Sequence, residues 1–227
     1  MAKKKLITAE ELDNIISVGD PQISPDGSQI LYTKRCVKNG NNHTSIWIAQ
    51  TKGSKTPRAL TSNDKDGSPR WSPDGNTVAF LRGSESGSQI YTIEMAGGEA
   101  SALTRFPEGV ISEMKWSPKG DSLAVSYRRT EEPYTHAAAE LRKENKESDP
   151  PIITEEAWYR LDGDGYFGHA RFQLYLVNKK DGSAAFSLFP VKVEEVLKVA
   201  DAGMLLPPKC TWFEPKLRSG LFVHFLS

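Results

Sequence analysis

The chain has 227 residues, of which 29 are lysine or arginine and 29 are aspartate or glutamate, so its formal net charge is zero. This balance gives no global field that would attract nucleic acid or an anionic membrane, and neither is expected as a partner. The hydrophobic fraction of 38% is sufficient for a core, and the length allows one large domain or two small ones.

The sequence shows no signal for secretion or membrane insertion. Residues 1–5 are basic, but no apolar run behind them is long enough for a signal peptide, and no stretch approaches the roughly 20 apolar residues of a membrane span. The two cysteines, Cys36 and Cys210, are too few and too far apart for a disulfide framework, so reduced thiols are expected. These features predict a soluble, cytoplasmic protein.

The N-terminal segment has the pattern of a short amphipathic helix. Thr8 and Glu11 have the spacing of a capping box, in which each side chain satisfies an amide group of the first turn. The apolar residues that follow share one helical face: Leu12, Ile15 and Ile16. Gly19 or the Asp20-Pro21 pair would end the helix. Residues 1–20 are predicted to form an arm whose helix packs on the neighbouring repeats or on a second domain.

A turn motif occurs three times and organises most of the chain. Its copies lie at residues 21–27, 69–75 and 114–120. The serines Ser24, Ser72 and Ser117 are separated by 48 and 45 residues (72 − 24 and 117 − 72). A period of about 40–45 residues is that of one four-stranded propeller blade.

The sequence Ser-Pro-Asp-Gly explains the turn. Proline sets φ at the first central position, Asp74 suits the second, and Gly75 accepts the left-handed conformation that follows. A type I turn followed by a left-handed glycine makes a hairpin with a bulge. Lys119 replaces the aspartate in the third copy, and the position tolerates it because φ there stays negative.

The residues around each turn predict strands with a preferred face. Before the turn, Ile23, Trp71 and Trp116 occupy equivalent inward positions, so both tryptophans are predicted to be buried. After the turn, apolar residues alternate with smaller ones, as in a half-buried strand. These residues are Ile30 and Tyr32, Val78 and Phe80, and Leu123 and Val125.

Two further strands follow in each repeat. Third strands are predicted around residues 46–49, 90–93 and 174–177, and fourth strands around 59–61 and 102–104, with a less clear one near Leu188. The fold class is therefore all-β: a partial β-propeller of about three four-stranded blades over residues 21–189.

An insertion at residues 128–171 interrupts the third repeat. Residues 137–147 within it are helix-prone and charged on all sides, which favours a solvated helix or a partly disordered loop. A lid or a subunit contact is the alternative, because long insertions in compact domains are often functional.

The Asp-Gly-Asp-Gly sequence at residues 162–165 raises the question of a calcium site. An EF-hand loop requires oxygen ligands at positions 5 and 7 and a glutamate at position 12. Tyr166, Gly168 and Gln173 stand at those positions. A tight turn is the better interpretation, and no metal site is predicted.

The C-terminal segment, residues 190–227, departs from the repeat. No further turn motif occurs there, residues 191–200 have helical spacing, and residues 221–227 are apolar. Either the segment is an irregular or helical tail of a truncated or frame-shifted chain, or it caps an open blade edge.

The sequence contains no recognisable catalytic site. A nucleophile elbow requires Gly-x-Ser-x-Gly, and the nearest sequence, residues 83–87, has glutamate at the central position. The histidines are interpreted as surface residues in loops, in the insertion or near the terminus: His43, His136, His169 and His224. No catalytic, cofactor-binding or metal-binding residue is assigned, and no cofactor is expected.

Three sequence features resemble a known family. The repeated Trp-Ser-Pro-Asp-Gly resembles the TolB-type propeller repeat, and residues 8–27 resemble the mature start of the prolyl oligopeptidase superfamily (peptidase family S9). Residues 158–177 resemble the third-blade insertion of its acylaminoacyl-peptidase and dipeptidyl-aminopeptidase branch. Together these features cover residues 8 to about 183.

The resemblance implies a function for the propeller. Enzymes of this family join an N-terminal propeller, usually of seven blades, to a C-terminal α/β-hydrolase domain with a Ser-Asp-His triad. The propeller admits only short or unfolded peptides. This sequence lacks some four blades and the hydrolase half, so it is expected to be a propeller fragment, inactive by itself.

Two function hypotheses follow. The first is the propeller part of an acylaminoacyl-peptidase-like serine peptidase, whose partners are peptides and a hydrolase domain. The second is an autonomous TolB-like or WD40-like protein-interaction module. In either case, open blade faces are expected to promote self-association.

Overall fold

The computed structural model describes residues 8–53, 55–153, 160–162, 165–166 and 170–186, and these residues form mainly β-strands. Three consecutive blades of four antiparallel strands follow the three turn motifs, which confirms the predicted all-β propeller architecture. The first blade contains β1 (Ser17–Ile23), β2 (Gln29–Lys38), β3 (Asn41–Gln50) and β4 (Arg58–Ala59).

The second and third blades repeat this order. The second contains β5 (Asp66–Trp71), β6 (Thr77–Ser84), β7 (Gly87–Glu94) and β8 (Ser101–Ala102). The third contains β9 (Gly109–Trp116), β10 (Ser122–Arg129), β13 (Gln173–Asn178) and β14 (Ala184–Phe186), with the insertion between β10 and β13. A single parallel bridge between Gly87 and Gly109 joins the sheets of these two blades.

Each Ser-Pro-x-Gly turn connects the first two strands of its blade. The glycines Gly27, Gly75 and Gly120 have φ of 72°, 72° and 71°. Their amides donate to the carbonyl oxygens of the serines three residues earlier, at 2.8–2.9 Å. The left-handed glycine predicted from the sequence is therefore present in all three copies.

Both sides of each blade are apolar, because alternate residues of a strand point to opposite faces. The side of each blade that packs on the preceding blade is its leading face, and the opposite side is its trailing face. The first blade interface joins trailing residues of blade 1 to leading residues of blade 2: Leu31, Ile46 and Ile48 with Val78, Phe80 and Ile93. The second joins blade 2 to blade 3: Ala79 and Ile90 with Leu123, Val125, Tyr127 and Val177.

Burial of the residues before the turn differs from the prediction in two of the three copies. Trp116 is buried, with 8% of its surface exposed, but Trp71 is only partly buried and Ile23 is 65% exposed. Ile30 and Tyr32 are likewise only half-buried, whereas the equivalent Val78 and Phe80 are fully buried. Ile23, Ile30 and Tyr32 are exposed or half-buried because residues at these positions pack on the preceding blade, and blade 1 has none among the described residues.

The N-terminal helix is shorter than predicted. It is a 3₁₀ helix, Ala9–Asn14, and its Thr8 amide donates to Glu11 Oε2 at 3.3 Å, as one half of a capping box would. Ile15 and Ile16 lie beyond the helix and are exposed, so they do not extend its apolar face. The boundary expected at residue 20 falls inside β1, because that strand already begins at Ser17.

The insertion contains the predicted helix and a hairpin. A 3₁₀ turn, Glu132–Tyr134, precedes α1 (His136–Asn145), which is capped by Thr135 and buries no residue. The strands β11 (Arg160–Leu161) and β12 (Gly165–Tyr166) pair on either side of the Asp-Gly-Asp-Gly sequence, in agreement with a tight turn.

The remaining predictions concern the end of the chain and the cysteines. The last described strand, β14, pairs with β13 and ends before Leu188, which lies outside the described residues together with residues 190–227 and Cys210. Cys36 is a free thiol. In the part of the chain that the structure describes, no helix is long and apolar enough to cross a membrane.

Candidate functional site

The tryptophans before the turns bind the backbone of the preceding blade. Trp71 Nε1 donates to the carbonyl oxygen of Gln22 at 3.1 Å, and Trp116 Nε1 donates to that of Arg70 at 3.0 Å. Gln22 and Arg70 occupy the same position in successive blades, one residue before Ile23 and Trp71. The same contact is therefore made at both blade interfaces, and it requires a backbone carbonyl and no particular side chain.

The turns also stack from blade to blade. A methyl group added at Gly75 would lie 3.6 Å from Pro25 Cδ, and one added at Gly120 would lie 3.3 Å from Pro73 Cδ. Each glycine thus sits against the turn proline of the preceding blade. The Pro and Gly of the motif serve the blade interface as well as the local turn.

An open groove of about 290 Å³ lies between the first strands of the blades, beside these turns. It is lined by Gln22, Ile23, Pro25, Arg70, Trp71, Ser72, Pro73, Lys115 and Trp116. Arg70 Nη1 contacts both carboxylate oxygens of Asp20, at 3.0 and 2.8 Å, and so links the first strands of blades 1 and 2. Indole, proline and guanidinium groups line this groove.

The motif serines cannot act as nucleophiles in this geometry. Ser72 is almost fully buried, and its hydroxyl donates to Asp74 while accepting from the amide of Thr77 at 2.9 Å. The hydroxyl of Ser72, with the amide of Asn76, lowers the pKa of the Asp74 carboxyl to about 2. Ser24 lowers the pKa of Asp26 to about 2 in the same way. Such carboxylates are weak bases that hold a turn together.

In the third turn motif, Lys119 stands at the aspartate position, and Asp121 supplies the carboxylate instead. Ser117 Oγ donates to Asp121 Oδ1 at 2.7 Å, and the hydroxyls of Ser117 and Ser122 lower the pKa of Asp121. The sequence shows Lys119 in place of the aspartate, but Asp121, two positions further on, was not identified from it as the carboxylate that takes over this role.

A polar contact and a tight approach reinforce the second blade interface. Lys179 Nζ donates to Thr77 Oγ1 at 2.8 Å, and Thr77 Oγ1 donates in turn to the carboxylate of Glu94. Gly182, with φ of 67°, lies so close to Leu103 that an added methyl group would be 1.7 Å from the Leu103 carbonyl oxygen. Blade 3 is thus held on blade 2 through the turn between β13 and β14.

An aromatic cluster lies at the opposite end of this interface. Tyr127 stacks on Phe106 at 4.5 Å between ring centroids, and Tyr175 meets both rings edge-on. Tyr127 Oη donates to the carbonyl oxygen of Pro107 at 2.7 Å, and burial raises the pKa of Tyr127 to about 12. The cluster is structural, since its one buried hydroxyl is already used by the backbone.

The two histidines that the structure describes lie on separate elements. His43 lies in β3, not in a loop as predicted, and its Nδ1 is 2.8 Å from Asp64 Oδ1; this hydrogen bond lowers the pKa of Asp64. His136 begins α1, is exposed, and has Nε2 3.6 Å from Glu85. His169 and His224 lie outside the described residues. The described ranges hold no cluster of three or more His, Cys, Asp or Glu side chains suited to a metal.

Three antiparallel blades joined by the same indole and turn contacts define part of a β-propeller. The chain belongs to the TolB beta propeller domain family, whose model matches residues 8–154. This match confirms the fold that the turn motifs predict.

Similar proteins include several peptidases. The uncharacterized peptidase YuxL of Bacillus subtilis is 38% identical over 182 residues, 79% of this chain and 27% of that protein. Dipeptidyl-peptidase 5 of Porphyromonas endodontalis is 27% identical over 128 residues, 55% of this chain and 18% of that protein. The acylaminoacyl peptidase of Pyrococcus horikoshii has the same fold over 76% of this chain and 25% of its own, with a TM-score of 0.59 and 15% identity.

These similarities confirm the resemblance to the propeller part of the prolyl oligopeptidase superfamily. The chain spans 27% or less of the length of the two sequence relatives.

Proposed function

We propose that this chain acts as the propeller part of a serine peptidase and controls the access of peptides to a hydrolase domain. The observation that carries the proposal is the 38% identity to a peptidase over 79% of this chain, within a propeller fold. Substrate gating is a task for such a fold, because it requires shape and contacts without chemistry.

The insertion supports this proposal because it presents the aromatic side chain of Tyr166 at the protein surface. The amide of His136 donates to both carboxylate oxygens of Glu108, at 2.9 and 3.0 Å, and the amide of Ala170 donates to Glu131 Oε1 at 2.8 Å. The first contact ties the start of α1 to the residue before β9, and the second ties the two ends of the insertion to each other. Tyr166 of its hairpin is half exposed, with the Arg160 guanidinium 5.3 Å from the ring centroid. An exposed phenol next to a cation suits contacts with an extended peptide.

The proposal is tested by binding to a hydrolase domain. The purified chain is titrated with a separately expressed α/β-hydrolase domain of a prolyl oligopeptidase superfamily enzyme, and calorimetry is expected to show a complex with a dissociation constant of about micromolar. An α/β-hydrolase that has no propeller in its own sequence serves as the control and is expected not to bind. A folded chain, verified by circular dichroism, that binds neither domain would overturn the proposal.

A second candidate, a protein-interaction module, rests on the exposed start of blade 1. Ile15, Ile16, Val18 and Ile23 are each more than half exposed, which is unusual for so many neighbouring apolar residues on a free surface. This reading is favoured if the chain binds a partner protein through these residues and ignores the hydrolase domain. In both cases a cytoplasmic location is part of the proposal.

A further inference from the structure

The hairpin at the end of blade 1 opposite to its Ser-Pro-x-Gly turn brings a thiol and an imidazole to the same side of the sheet. β2 and β3 are joined by Asn39 and Gly40, whose φ values of 52° and 73° are those of a two-residue turn that fixes the strand register. In this register Cys36 lies directly opposite His43. Directly opposite residues share one face of the sheet, with Cβ atoms about 4.5–5.5 Å apart. The fold therefore places a nucleophilic and a basic side chain next to each other.

A third side chain orients the imidazole of His43. Its Nδ1 lies 2.8 Å from Asp64 Oδ1. Asp64 is itself fixed beside β3, because its carbonyl oxygen accepts the amide of Thr44 at 2.7 Å. The hydrogen bond from His43 lowers the pKa of Asp64, so this carboxylate is ionised at neutral pH. An ionised carboxylate only accepts hydrogen bonds. Nδ1 therefore carries the proton of the neutral imidazole, and Nε2 is the proton acceptor.

The surroundings of Cys36 are electropositive. Lys34, Cys36 and Lys38 are alternate residues of β2 and lie on one face of the sheet. The same face carries Trp47, whose ring centroid is 4.2 Å from Lys34 Nζ. Partly exposed thiols with cationic neighbours react as nucleophiles, and positive charge attracts reagents that are anionic.

Access to Cys36 does not depend on what precedes blade 1. Cys36 is partly exposed and lies 12 residues after the serine of its turn motif (36 − 24). The equivalent residues of blades 2 and 3 are Ser84 and Arg129 (84 − 72 and 129 − 117). Both are exposed, although a blade precedes each of them. This position thus lies beyond the part of a blade that its neighbour covers.

We propose that Cys36 is a modification site that exchanges with small disulfides carrying carboxylate groups. His43 Nε2 takes the proton of the thiol, and the Cys36 sulfur attacks one sulfur of the disulfide. The bond between these two sulfurs forms as the disulfide bond breaks, and the departing thiolate takes the proton from His43. The products are a mixed disulfide on Cys36 and one free thiol, so the small disulfide is the oxidant. This site goes beyond the proposed gating role and does not depend on it.

The test is the rate at which the Cys210→Ser protein, with Cys36 as its single thiol, reacts with the dianionic disulfide dithiobisnitrobenzoate at neutral pH. Absorbance of the released thiol measures the rate, and peptide mass mapping identifies the modified residue. The reference is a synthetic peptide of residues 33–39, which has both lysines but neither His43 nor Asp64. The folded protein is expected to react at least about tenfold faster than the peptide, because only the folded chain supplies the proton acceptor.

Two variants separate the proton acceptor from the charge. His43→Gln is expected to remove most of the acceleration, and the control His136→Gln, on α1, is expected to retain it. Lys38→Gln is expected to slow the reaction with the dianionic disulfide by about threefold and to leave the reaction with uncharged dithiodipyridine unchanged. Lys119→Gln, at the opposite end of the blades, is the charge control and is expected to change neither rate.

Circular dichroism and urea unfolding verify that each variant is folded. Asp64→Asn, at a side chain that is 56% exposed, provides the same comparison should His43→Gln not fold. A folded protein whose Cys36 reacts no faster than the peptide would overturn the proposal, and so would a folded His43→Gln variant that reacts at the wild-type rate. Equal effects of Lys38→Gln on the charged and the uncharged disulfide would contradict the preference for carboxylate-bearing reagents.

Discussion

The indole Nε1 of Trp116 lies 3.0 Å from the carbonyl oxygen of Arg70, one residue before the equivalent tryptophan of the preceding blade. Trp71 makes the same bond to Gln22. Because the acceptor belongs to the backbone, successive blades can change the side chain at that position without losing the bond. This explains why one turn motif organises blades that are otherwise different in sequence.

The two tryptophans are expected to differ in their contribution to stability. Trp116→Ala should lower the free energy of unfolding by about 3–5 kcal/mol, as for a large aromatic side chain removed from a core. Trp71→Ala should cost less, about 2 kcal/mol, because this side chain is only partly buried. Urea unfolding monitored by circular dichroism measures both. Equal losses of unfolding free energy for Trp71→Ala and Trp116→Ala would show that the exposure of the tryptophan side chain does not determine its contribution to stability.

A phenylalanine substitution tests the hydrogen bond between Trp116 and the Arg70 carbonyl separately from the burial of the ring. Trp116→Phe keeps most of the ring and removes the donor, which leaves the Arg70 carbonyl without its indole partner. The expected loss is about 1–3 kcal/mol. A variant as stable as the wild-type protein would show that this bond does not stabilise the interface.

The close approach of Gly182 to blade 2 is tested against a glycine of the same backbone conformation. Gly27 and Gly182 have φ of 72° and 67°, but nothing lies within 4 Å of a methyl group added at Gly27. Gly27→Ala is therefore expected to cost only the left-handed conformation, about 1–2 kcal/mol. Gly182→Ala should cost at least about 2 kcal/mol more, because blade 3 must move away from the Leu103 carbonyl. Similar losses of stability for Gly27→Ala and Gly182→Ala would show that the Gly182–Leu103 contact accommodates a methyl group at no energetic cost.

Acid unfolding is expected to depend on the turn aspartates. The pKa values of Asp26 and Asp74 are about 2 in the folded chain, below the ordinary value near 3.9. The folded state thus binds protons less readily, so this stabilisation is complete above about pH 4 and is lost as the pH falls towards 2. Asp74→Asn should reduce stability at neutral pH and flatten its decline between pH 4 and 2. Asp13→Asn, on the exposed arm, is the control and should leave the profile unchanged.

Alkaline unfolding is expected to depend on Tyr127. Its pKa of about 12 exceeds the ordinary value near 10, because burial disfavours the phenolate. The unfolded chain therefore ionises first, and stability is expected to fall as the pH rises from about 10 to 12. Tyr127→Phe should lose about 1 kcal/mol at neutral pH with the bond to Pro107, and show a shallower alkaline decline. If the stability of Tyr127→Phe fell with rising pH as steeply as that of the wild-type protein, groups other than Tyr127 would cause the alkaline loss of stability.

The purified 227-residue protein is expected to show no peptidase or esterase activity. The motif serines of the first two turns donate to carboxylates that are weak bases, and the sequence contains no Gly-x-Ser-x-Gly. Hydrolysis of acyl-peptide and ester substrates measures this. Turnover that a serine-directed phosphonate abolishes would contradict the prediction; the contaminating activity of a mock purification is the control.

Local features of the fold were predictable from the sequence alone. The turn geometry at Gly27, Gly75 and Gly120 follows from proline and glycine in four consecutive residues, because φ preferences act within the residue itself. The blade order follows from the spacing of the turns, and the helix in the insertion follows from its composition. These properties depend on neighbours in the chain, which the sequence displays directly.

Burial and partners were decided only by the tertiary structure. Ile23 and Trp116 are equivalent in sequence, yet Ile23 is 65% exposed and Trp116 8%, because Trp116 packs on the blade before it and Ile23 has no such blade among the described residues. Asp121 replaces the missing turn carboxylate, and Lys179 reaches Thr77 across 102 residues of chain. Such contacts join residues that are distant in sequence, so they depend on how the blades are placed against one another, and a repeat pattern describes only one blade at a time.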